Sequence, residues 1–223
     1  MIEGEVKWHD PFLMEARAAP EHDVQFEAVI KDAELSGRWG PALTGEGDNK
    51  KLRDSEILWF NPDYPPPTHE LLLGIVKTCT EQYHEARPQS HNGMPNVVAY
   101  EYSIVRYTEG QAFHAHHSDA SPWTGSPMQN RHLTVVMYLN TPEEGGEICF
   151  PIQDLQITPE RGLVLMHPSV WTHTHYTLPV VAGVKYALVV FYQFENPVTS
   201  ANWEEAASGE KPSIEEFIMG EKR

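Results

Sequence analysis

Hydrophobic residues follow two different patterns along this chain of 223 residues. Over residues 68–87 they recur every three or four positions, at Leu72, Val76, Cys79 and Tyr83. This spacing predicts an amphipathic helix that Thr68 caps and Pro88 ends. Over residues 97–194 short apolar runs are separated by turns, without a helical period between them, which is typical of β-strands.

Strand-like runs therefore dominate the second half of the chain. Residues 184–192 are apolar or aromatic at almost every position, which favours a strand that is buried on both faces. Residues 141–146 form a turn containing proline and glycine between two such runs. Short strands in series favour a jelly-roll-like barrel. The prediction is a mainly β fold with flanking helices, of the α+β class.

One hydrophobic core is expected for the whole chain. A hydrophobic fraction of 40% in 223 residues is sufficient for a single domain, residues 1–223. Within it we predict N-terminal strands and a supporting helix in residues 1–96 and the barrel core in residues 97–194. Residues 195–223 are polar and acidic and are expected to form a C-terminal tail.

Composition limits the partners and the compartment. Sixteen basic residues against 32 acidic ones give a net charge of −16, which repels phosphate backbones and anionic membranes. We therefore expect no nucleic-acid and no membrane partner, while the oligomeric state stays open. Cys79 and Cys149 lie in hydrophobic segments and are expected to be buried thiols rather than a disulfide. Together with the lack of a recognisable signal peptide or membrane span, this favours a cytoplasmic location.

Candidate metal ligands stand at both ends of the strand-rich region. In an extended segment His117 and Asp119 lie on one face, so both can bind one ion. With His175 they would give two imidazoles and one carboxylate, the ligand set of non-haem Fe(II) oxygenases. Lys185 lies in a predicted buried strand, where an unpaired ammonium is costly, so an anionic ligand group is expected beside it. His-x-Asp alone is weak support, because 12 histidines and 32 acidic residues produce it by chance.

Five blocks in sequence strengthen this interpretation, and they are residues 105–113, 131–140, 145–151, 159–166 and 172–186. They resemble the 2-oxoglutarate- and Fe(II)-dependent dioxygenases, specifically their prolyl 4-hydroxylase-like branch, across most of residues 97–194. The resemblance implies a double-stranded β-helix, a jelly-roll or cupin-like barrel, with N-terminal helical support. It also implies Fe(II), 2-oxoglutarate and O2 as cofactor and cosubstrates, with ascorbate as an optional addition.

The resemblance also assigns roles to single residues. It implies that His117, Asp119 and His175 bind the iron and that Lys185 binds the distal carboxylate of 2-oxoglutarate. Two tyrosines match positions that help to hold this cosubstrate, although packing in the sheet would also explain them. One further residue matches a position at the mouth of the family's pocket, and a tryptophan in the loop of residues 121–125 could close over a substrate, although both could equally be structural. The tyrosines are Tyr107 and Tyr138, and the substrate candidates are Arg131 and Trp123.

The distal histidine ligand has to be chosen among neighbours. His173 and His175 share a strand face, so geometry alone does not separate them. In the family that the chain resembles, the distal histidine ligand lies four residues before a Pro-Val pair and ten residues before the basic residue. Counting back from Pro179 and from Lys185 gives His175 in both cases. His173 is then interpreted as a pocket residue, and His167 as a turn residue.

The expected function follows from the resemblance. It is hydroxylation of an unactivated C–H bond, with release of succinate and CO2, in a prolyl or other residue of a protein or peptide or in a free amino acid. Related halogenating enzymes lack the carboxylate ligand, so Asp119 favours hydroxylation. Two alternatives remain: a cupin-like metal-binding barrel that does not use 2-oxoglutarate, which would have no need for Lys185, and a catalytically silent peptide-binding module.

Overall fold

A computed structural model describes residues 2–42, 50–61, 65–90, 97–114, 118–120 and 127–194 of the chain. These residues form two α-helices, α1 (Asp23–Ser36) and α2 (Glu70–Ala86), and a set of β-strands with short 3-10 turns between them. The strands are β1 (Lys7–Trp8), β2 (Met14–Arg17), β3 (Gly40–Pro41), β4 (Glu56–Phe60), β5 (Val97–Tyr107), β6 (Arg131–Tyr138), β7 (Glu144–Gly145), β8 (Ile148–Phe150), β9 (Leu155–Ile157), β10 (Leu163–Pro168), β11 (Tyr176–Thr177), β12 (Val180–Ala182) and β13 (Lys185–Phe194).

Helix α2 is the helix that the hydrophobic period predicts. It buries the four predicted positions together with Ile75, and it ends at Ala86, two residues before Pro88. The predicted cap is wrong, because Thr68 lies inside a 3-10 turn, Pro67–His69, and no side chain caps the helix. The proline-rich segment continues directly into the helix through this turn.

Helix α1 is not predicted by the sequence analysis. It buries only Phe26, Val29 and Ala33, and polar residues occupy most of its other positions. Gly37 follows it in the left-handed conformation, at a φ of 61°, which a glycine adopts without steric cost. The three buried residues join the same hydrophobic cluster as α2, so packing against the sheet stabilises this helix.

One large antiparallel sheet organises the strands. Its order is β1-β2-β10-β6-β13-β5-β4-β3, and the smaller sheets are β11-β8-β9 and β12-β7. The mainly β architecture with flanking helices is therefore confirmed. Both cysteines are buried and free, as predicted. Neither helix in the described ranges is long and apolar enough to cross a membrane.

The two faces of the large sheet have different partners. Because side chains alternate along a strand, Leu133 and Val135 of β6 pack towards the helices, whereas Val136 and Tyr138 point the other way. On this second face they join Ile148 and other residues of β8 and β9 in a separate cluster. The large sheet is thus covered by helices on one side and by small sheets on the other, and the candidate site lies on the second side.

Candidate functional site

A pocket lies between the large sheet and the small sheets. Apolar side chains of the sheet make up much of its wall, among them Val105, Val136 and Val189. Several polar residues that the sequence analysis singled out also line it. These are Tyr107, Asp119, Tyr138, His175 and Lys185. Two other predicted residues, His117 and Trp123, lie outside the described residues.

Asp119 and His175 come together at one end of this pocket. Nε2 of His175 lies 3.9 Å from Oδ1 of Asp119. A third residue, His167, completes a group whose potential ligand atoms all lie within 4.8 Å of one another. This is a spacing at which one metal ion can be shared, and two imidazoles with a carboxylate suit Fe(II).

The carboxylate of Asp119 is held by its neighbours. The hydroxyl of Thr134 on β6 donates a hydrogen bond of 2.7 Å to Oδ2 and lies 2.8 Å from the hydroxyl of Ser169. Burial acts to raise the pKa of Asp119, but His175, His167 and the Thr134 hydrogen bond lower it below its usual value. The side chain is therefore an ionised carboxylate with one oxygen fixed by Thr134, which suits a metal ligand.

His175 has the tautomer that a metal ligand requires. Its Nδ1 lies 3.1 Å from the carbonyl oxygen of His173, and a carbonyl can only accept, so Nδ1 carries the proton. Nε2 then carries the lone pair on the side of Asp119. A backbone acceptor on the second nitrogen is the usual way in which proteins orient metal-binding histidines.

His173 is buried behind His175 rather than beside Asp119. Its Nε2 lies 3.2 Å from Oδ2 of Asp10, and its Nδ1 lies 2.9 Å from the hydroxyl of Thr172. Burial lowers the pKa of His173, while Asp10 acts in the opposite direction. The side chain therefore connects the N-terminal segment to the segment that carries His175, and its backbone carbonyl sets the tautomer of His175.

His167 is not the turn residue that the sequence analysis predicts. It lies within β10, where it pairs with Thr134 of β6, and its side chain is fully buried. The apparent turn signal came from Pro168, which is the last residue of the strand. The pKa of His167 is lowered to about 3, mainly because the ring is buried, so the imidazole is neutral. Residues two apart in a strand share a face, and Leu165 lies on the pocket side of the sheet, so the same face is expected for His167.

Lys185 lies at another part of the pocket, at the start of β13. It is 1% exposed, its Nζ donates a 2.7 Å hydrogen bond to the carbonyl of Gly146, and Nζ lies 4.4 Å from the ring centre of Tyr107. Burial lowers its pKa to about 7; Glu147 raises it and Arg53 lowers it. A buried amine that lacks a carboxylate at bonding distance within the described residues is suited to an anionic ligand.

Arg131 is held beside the site by contacts of its guanidinium. Its Cζ lies 3.6 Å from the ring centre of Phe191, next to a shift in the pairing of β6 with β13 between Tyr192 and Gln193. Its guanidinium forms an ion pair with Glu101 and donates a 3.1 Å hydrogen bond to the backbone carbonyl of Asp119. Arg131 thus braces the segment that carries Asp119.

Arg53 lines the pocket although the sequence analysis gave it no role. Its guanidinium stacks over the ring of Phe113, 5.6 Å from the ring centre, and its Nε donates to the hydroxyl of Ser55. Arg53 and Phe113 also form an isolated β-bridge. This backbone contact brings two segments together that lie 60 residues apart in the chain, and neither segment carries a local signal for it.

Comparisons with known proteins agree with this geometry. Residues 102–193 match the family model described as the 2OG-Fe(II) oxygenase superfamily. A putative prolyl 4-hydroxylase of Acanthamoeba polyphaga mimivirus is 22% identical over 161 residues, which cover 66% of this chain and 61% of the relative. The matched regions span 40% to 61% of the lengths of the curated relatives.

Solved structures of prolyl hydroxylases have the same fold. The viral collagen prolyl hydroxylase of Paramecium bursaria Chlorella virus-1, solved with 2OG, has a TM-score of 0.63 at 21% identity and covers 82% of this chain and 97% of its own. The prolyl hydroxylase of Trichoplax adhaerens, solved with a peptide fragment of the hypoxia inducible factor oxygen degradation domain, has a TM-score of 0.63 at 17% identity, with coverages of 90% and 88%.

These similarities decide two of the predictions. The predicted double-stranded β-helix is confirmed by the shared fold. The predicted set of Fe(II), 2-oxoglutarate and O2 is confirmed as the cofactor and cosubstrates of the matching family. The potential ligand atoms of Asp119, His167 and His175 are of the kinds that bind Fe(II). Ascorbate and the cytoplasmic location stay predictions.

Proposed function

Because residues 102–193 belong to the 2-oxoglutarate- and Fe(II)-dependent oxygenase superfamily, in its prolyl 4-hydroxylase-like branch, we propose that the protein is a hydroxylase of a prolyl or other amino-acid residue. The substrate would be a peptide, a protein or a free amino acid. Bound Fe(II), together with 2-oxoglutarate and O2, supplies the oxidation that hydroxylates an unactivated C–H bond and releases succinate and CO2.

One observation carries this proposal. The pocket that Asp119 and His175 line also contains the buried amine of Lys185. A metal-binding group and a buried cation in one pocket suit a ligand that chelates the metal at one end and carries a carboxylate at the other. A metal-binding barrel that does not use 2-oxoglutarate has no need for Lys185, so this alternative is not favoured.

The residues divide into two groups in this proposal, those that hold the iron and those that hold the cosubstrate. Asp119 and His175, with His117 from the sequence, would hold the iron. Lys185 would bind the distal carboxylate, and Tyr107 lies against its amine. Tyr138 is also proposed to help hold 2-oxoglutarate, and it is buried in the wall of the same pocket. The described side chains among them, which are Asp119, His175, Lys185, Tyr107 and Tyr138, are positioned before a ligand binds, which reduces the entropy lost on binding.

The substrate is proposed to be peptide-like. One of the structures that share this fold contains a bound peptide fragment, and the family branch is named for prolyl residues. The net charge of −16 favours a neutral or basic substrate over an acidic one. Arg131 and Trp123 are proposed to border the substrate, with Arg131 held in place by Glu101.

Anaerobic titration with Fe(II) and 2-oxoglutarate tests the proposal. We expect a weak visible charge-transfer band that requires both additions, because the band arises from chelation of the metal by the keto acid. His175→Ala should abolish the band, whereas His173→Ala, a matched control two residues away, should retain it. A folded wild-type protein without the band would refute the proposed function. A band that survives His175→Ala but not His173→Ala would refute the ligand assignment.

A further inference from the structure

Trp59 is an exposed aromatic residue on the same face of the large sheet as the pocket. Its neighbours Leu58 and Phe60 pack towards the helices, whereas Ile57 joins the hydrophobic cluster on the pocket side. Because side chains alternate along a strand, Trp59 lies on the pocket side together with Ile57. Trp59 is nevertheless 51% exposed. An exposed indole beside a pocket differs from a hydrophobic residue scattered on the surface, because one ligand can contact both.

The strand register connects Trp59 with the wall of the pocket. Trp59 of β4 pairs with Ser103 of β5. Ser103 also pairs with Val189 of β13, and Val189 pairs with Val136 of β6. Both valines line the pocket. The indole therefore belongs to the same row of side chains across the sheet, two strands beyond the pocket wall at Val189.

The same register gives the distance from Trp59 to the candidate metal site. Thr134, whose hydroxyl donates to the carboxylate of Asp119, lies two residues from Val136 on β6. Three spacings between strands of about 4.8 Å and one two-residue step of about 6.8 Å separate Trp59 from Thr134. The separation along the sheet is therefore about 16 Å. A free amino acid is too short to contact both places, whereas an extended peptide can.

A buried hydrogen-bond donor lies between these two places. The guanidinium of Arg131 covers the ring of Phe191, which pairs with Thr134 on one side and with Glu101 on the other. The side chain of Arg131 is 9% exposed, and its Nε has no hydrogen-bond partner among the described residues. A buried donor is expected to have an acceptor. Because Glu101 already neutralises the charge of Arg131, an uncharged acceptor such as a peptide carbonyl suits this position.

From this arrangement we propose that Trp59 and Arg131 form a docking surface for an extended, uncharged peptide segment that flanks the hydroxylated residue. A prolyl ring of the segment stacks on the indole of Trp59, and a peptide carbonyl accepts a hydrogen bond from Nε of Arg131. The proposal rests on the proposed function, because it places the reacting residue at the metal-binding group. It commits the substrate to a peptide rather than a free amino acid.

A proline-rich segment fits this surface for two physical reasons. Proline has no backbone N–H that would need a partner, and the carbonyls of a polyproline II segment make no internal hydrogen bonds. Such segments dock on surfaces lined by aromatic side chains. Each residue advances about 3.1 Å, so about five residues beyond the reacting one span the 16 Å to Trp59.

Anaerobic titration calorimetry with oligoprolines of different lengths tests this surface. The full chain is loaded with Fe(II) and 2-oxoglutarate, and the probes are oligoprolines of four and ten residues with acetylated and amidated ends. Trp59→Ala should raise the dissociation constant of the ten-residue probe at least about 5-fold, the effect of truncating an anchor residue of an interface. It should leave the dissociation constant of the four-residue probe unchanged, because that probe does not reach the indole. Trp59→Phe, which keeps a flat ring, should recover part of the loss.

Leu35→Ala is the control, because Leu35 is an exposed apolar residue of α1, on the opposite side of the sheet. It should leave both dissociation constants unchanged. An equal effect of Trp59→Ala on both probes, or the lack of an effect on either, would overturn the docking surface. A folded, loaded wild-type protein that does not bind the ten-residue probe would also overturn it. The charge-transfer band of the loaded protein tests the proposed function separately, so the two failures are distinguishable.

Discussion

Lys185 should make the affinity for 2-oxoglutarate fall as the pH rises. Its side chain is 1% exposed, and burial lowers the pKa of the amine to about 7. In the empty pocket the amine is therefore only partly protonated near neutral pH, although it is the proposed binding partner of the distal carboxylate. Binding of the carboxylate stabilises the ammonium form, so the pKa in the complex is higher than in the empty pocket.

The direction and the size of the pH effect on 2-oxoglutarate affinity follow from this difference between the two pKa values of Lys185. Binding is strongest below the pKa of the empty pocket, where the ammonium is already present, and it weakens as the pH rises through about 7. Above that value each pH unit costs up to tenfold in affinity, or about 1.4 kcal/mol, until the pKa of the complex is reached. Between pH 7 and pH 9 the protonated fraction falls from about one half to about 1%, so the dissociation constant should rise roughly 50-fold, or about 2.3 kcal/mol.

Anaerobic titration of the metal-loaded protein with 2-oxoglutarate at several pH values measures this dependence. Lys185→Arg is the control, because a guanidinium stays protonated over the whole range. Dividing the wild-type dissociation constant by that of the variant removes the effects of pH on the metal and on the other ligands. Parallel profiles in the two proteins would refute the assignment of the titrating group to Lys185.

Three further changes test the supports of the site and the core. Thr134→Val removes the 2.7 Å hydrogen bond to Asp119, so metal affinity in a metal titration should fall about 10- to 100-fold. Gly146→Ala places a methyl group 3.1 Å from Cδ of Lys185 at a φ of +79°, so the KM for 2-oxoglutarate should rise several-fold and urea unfolding should show a loss of about 1–2 kcal/mol. Ile75→Ala, in the core beneath the sheet, should cost about 2–5 kcal/mol in urea unfolding and leave 2-oxoglutarate affinity unchanged.

The main elements of the fold could be predicted because their sequence periods are strong. Helix α2 repeats its apolar residues at helical spacing over several turns, and β13 is a continuous apolar run. Helix α1 has only three buried positions, so its amphipathic pattern is weak. It is stabilised by tertiary packing, which a local pattern does not record.

The site could be predicted mainly through the resemblance to a known family. Within that resemblance Lys185 also has a physical reason to be singled out, because a charged side chain in an apolar strand requires a partner. His167 was missed because the proline that follows it suggested a turn, whereas in the structure that proline ends the strand. Arg53 and Asp10 were missed for another reason: their contacts with Phe113 and His173 join segments far apart in the chain. No local pattern predicts such contacts.

Strand β10 explains how the N-terminal part of the chain and the candidate metal site depend on each other. Val164 and Met166 of this strand pack in the helix-side cluster, while His167 points to the opposite side, towards Asp119. On one edge β10 pairs with β2 of the N-terminal segment, and Asp10 of the same segment contacts His173 behind His175. Because β10 carries His167, one of the three described candidate ligands, and is held at its edge by β2, loosening of the N-terminal segment should disturb this group of ligand atoms before it unfolds the barrel.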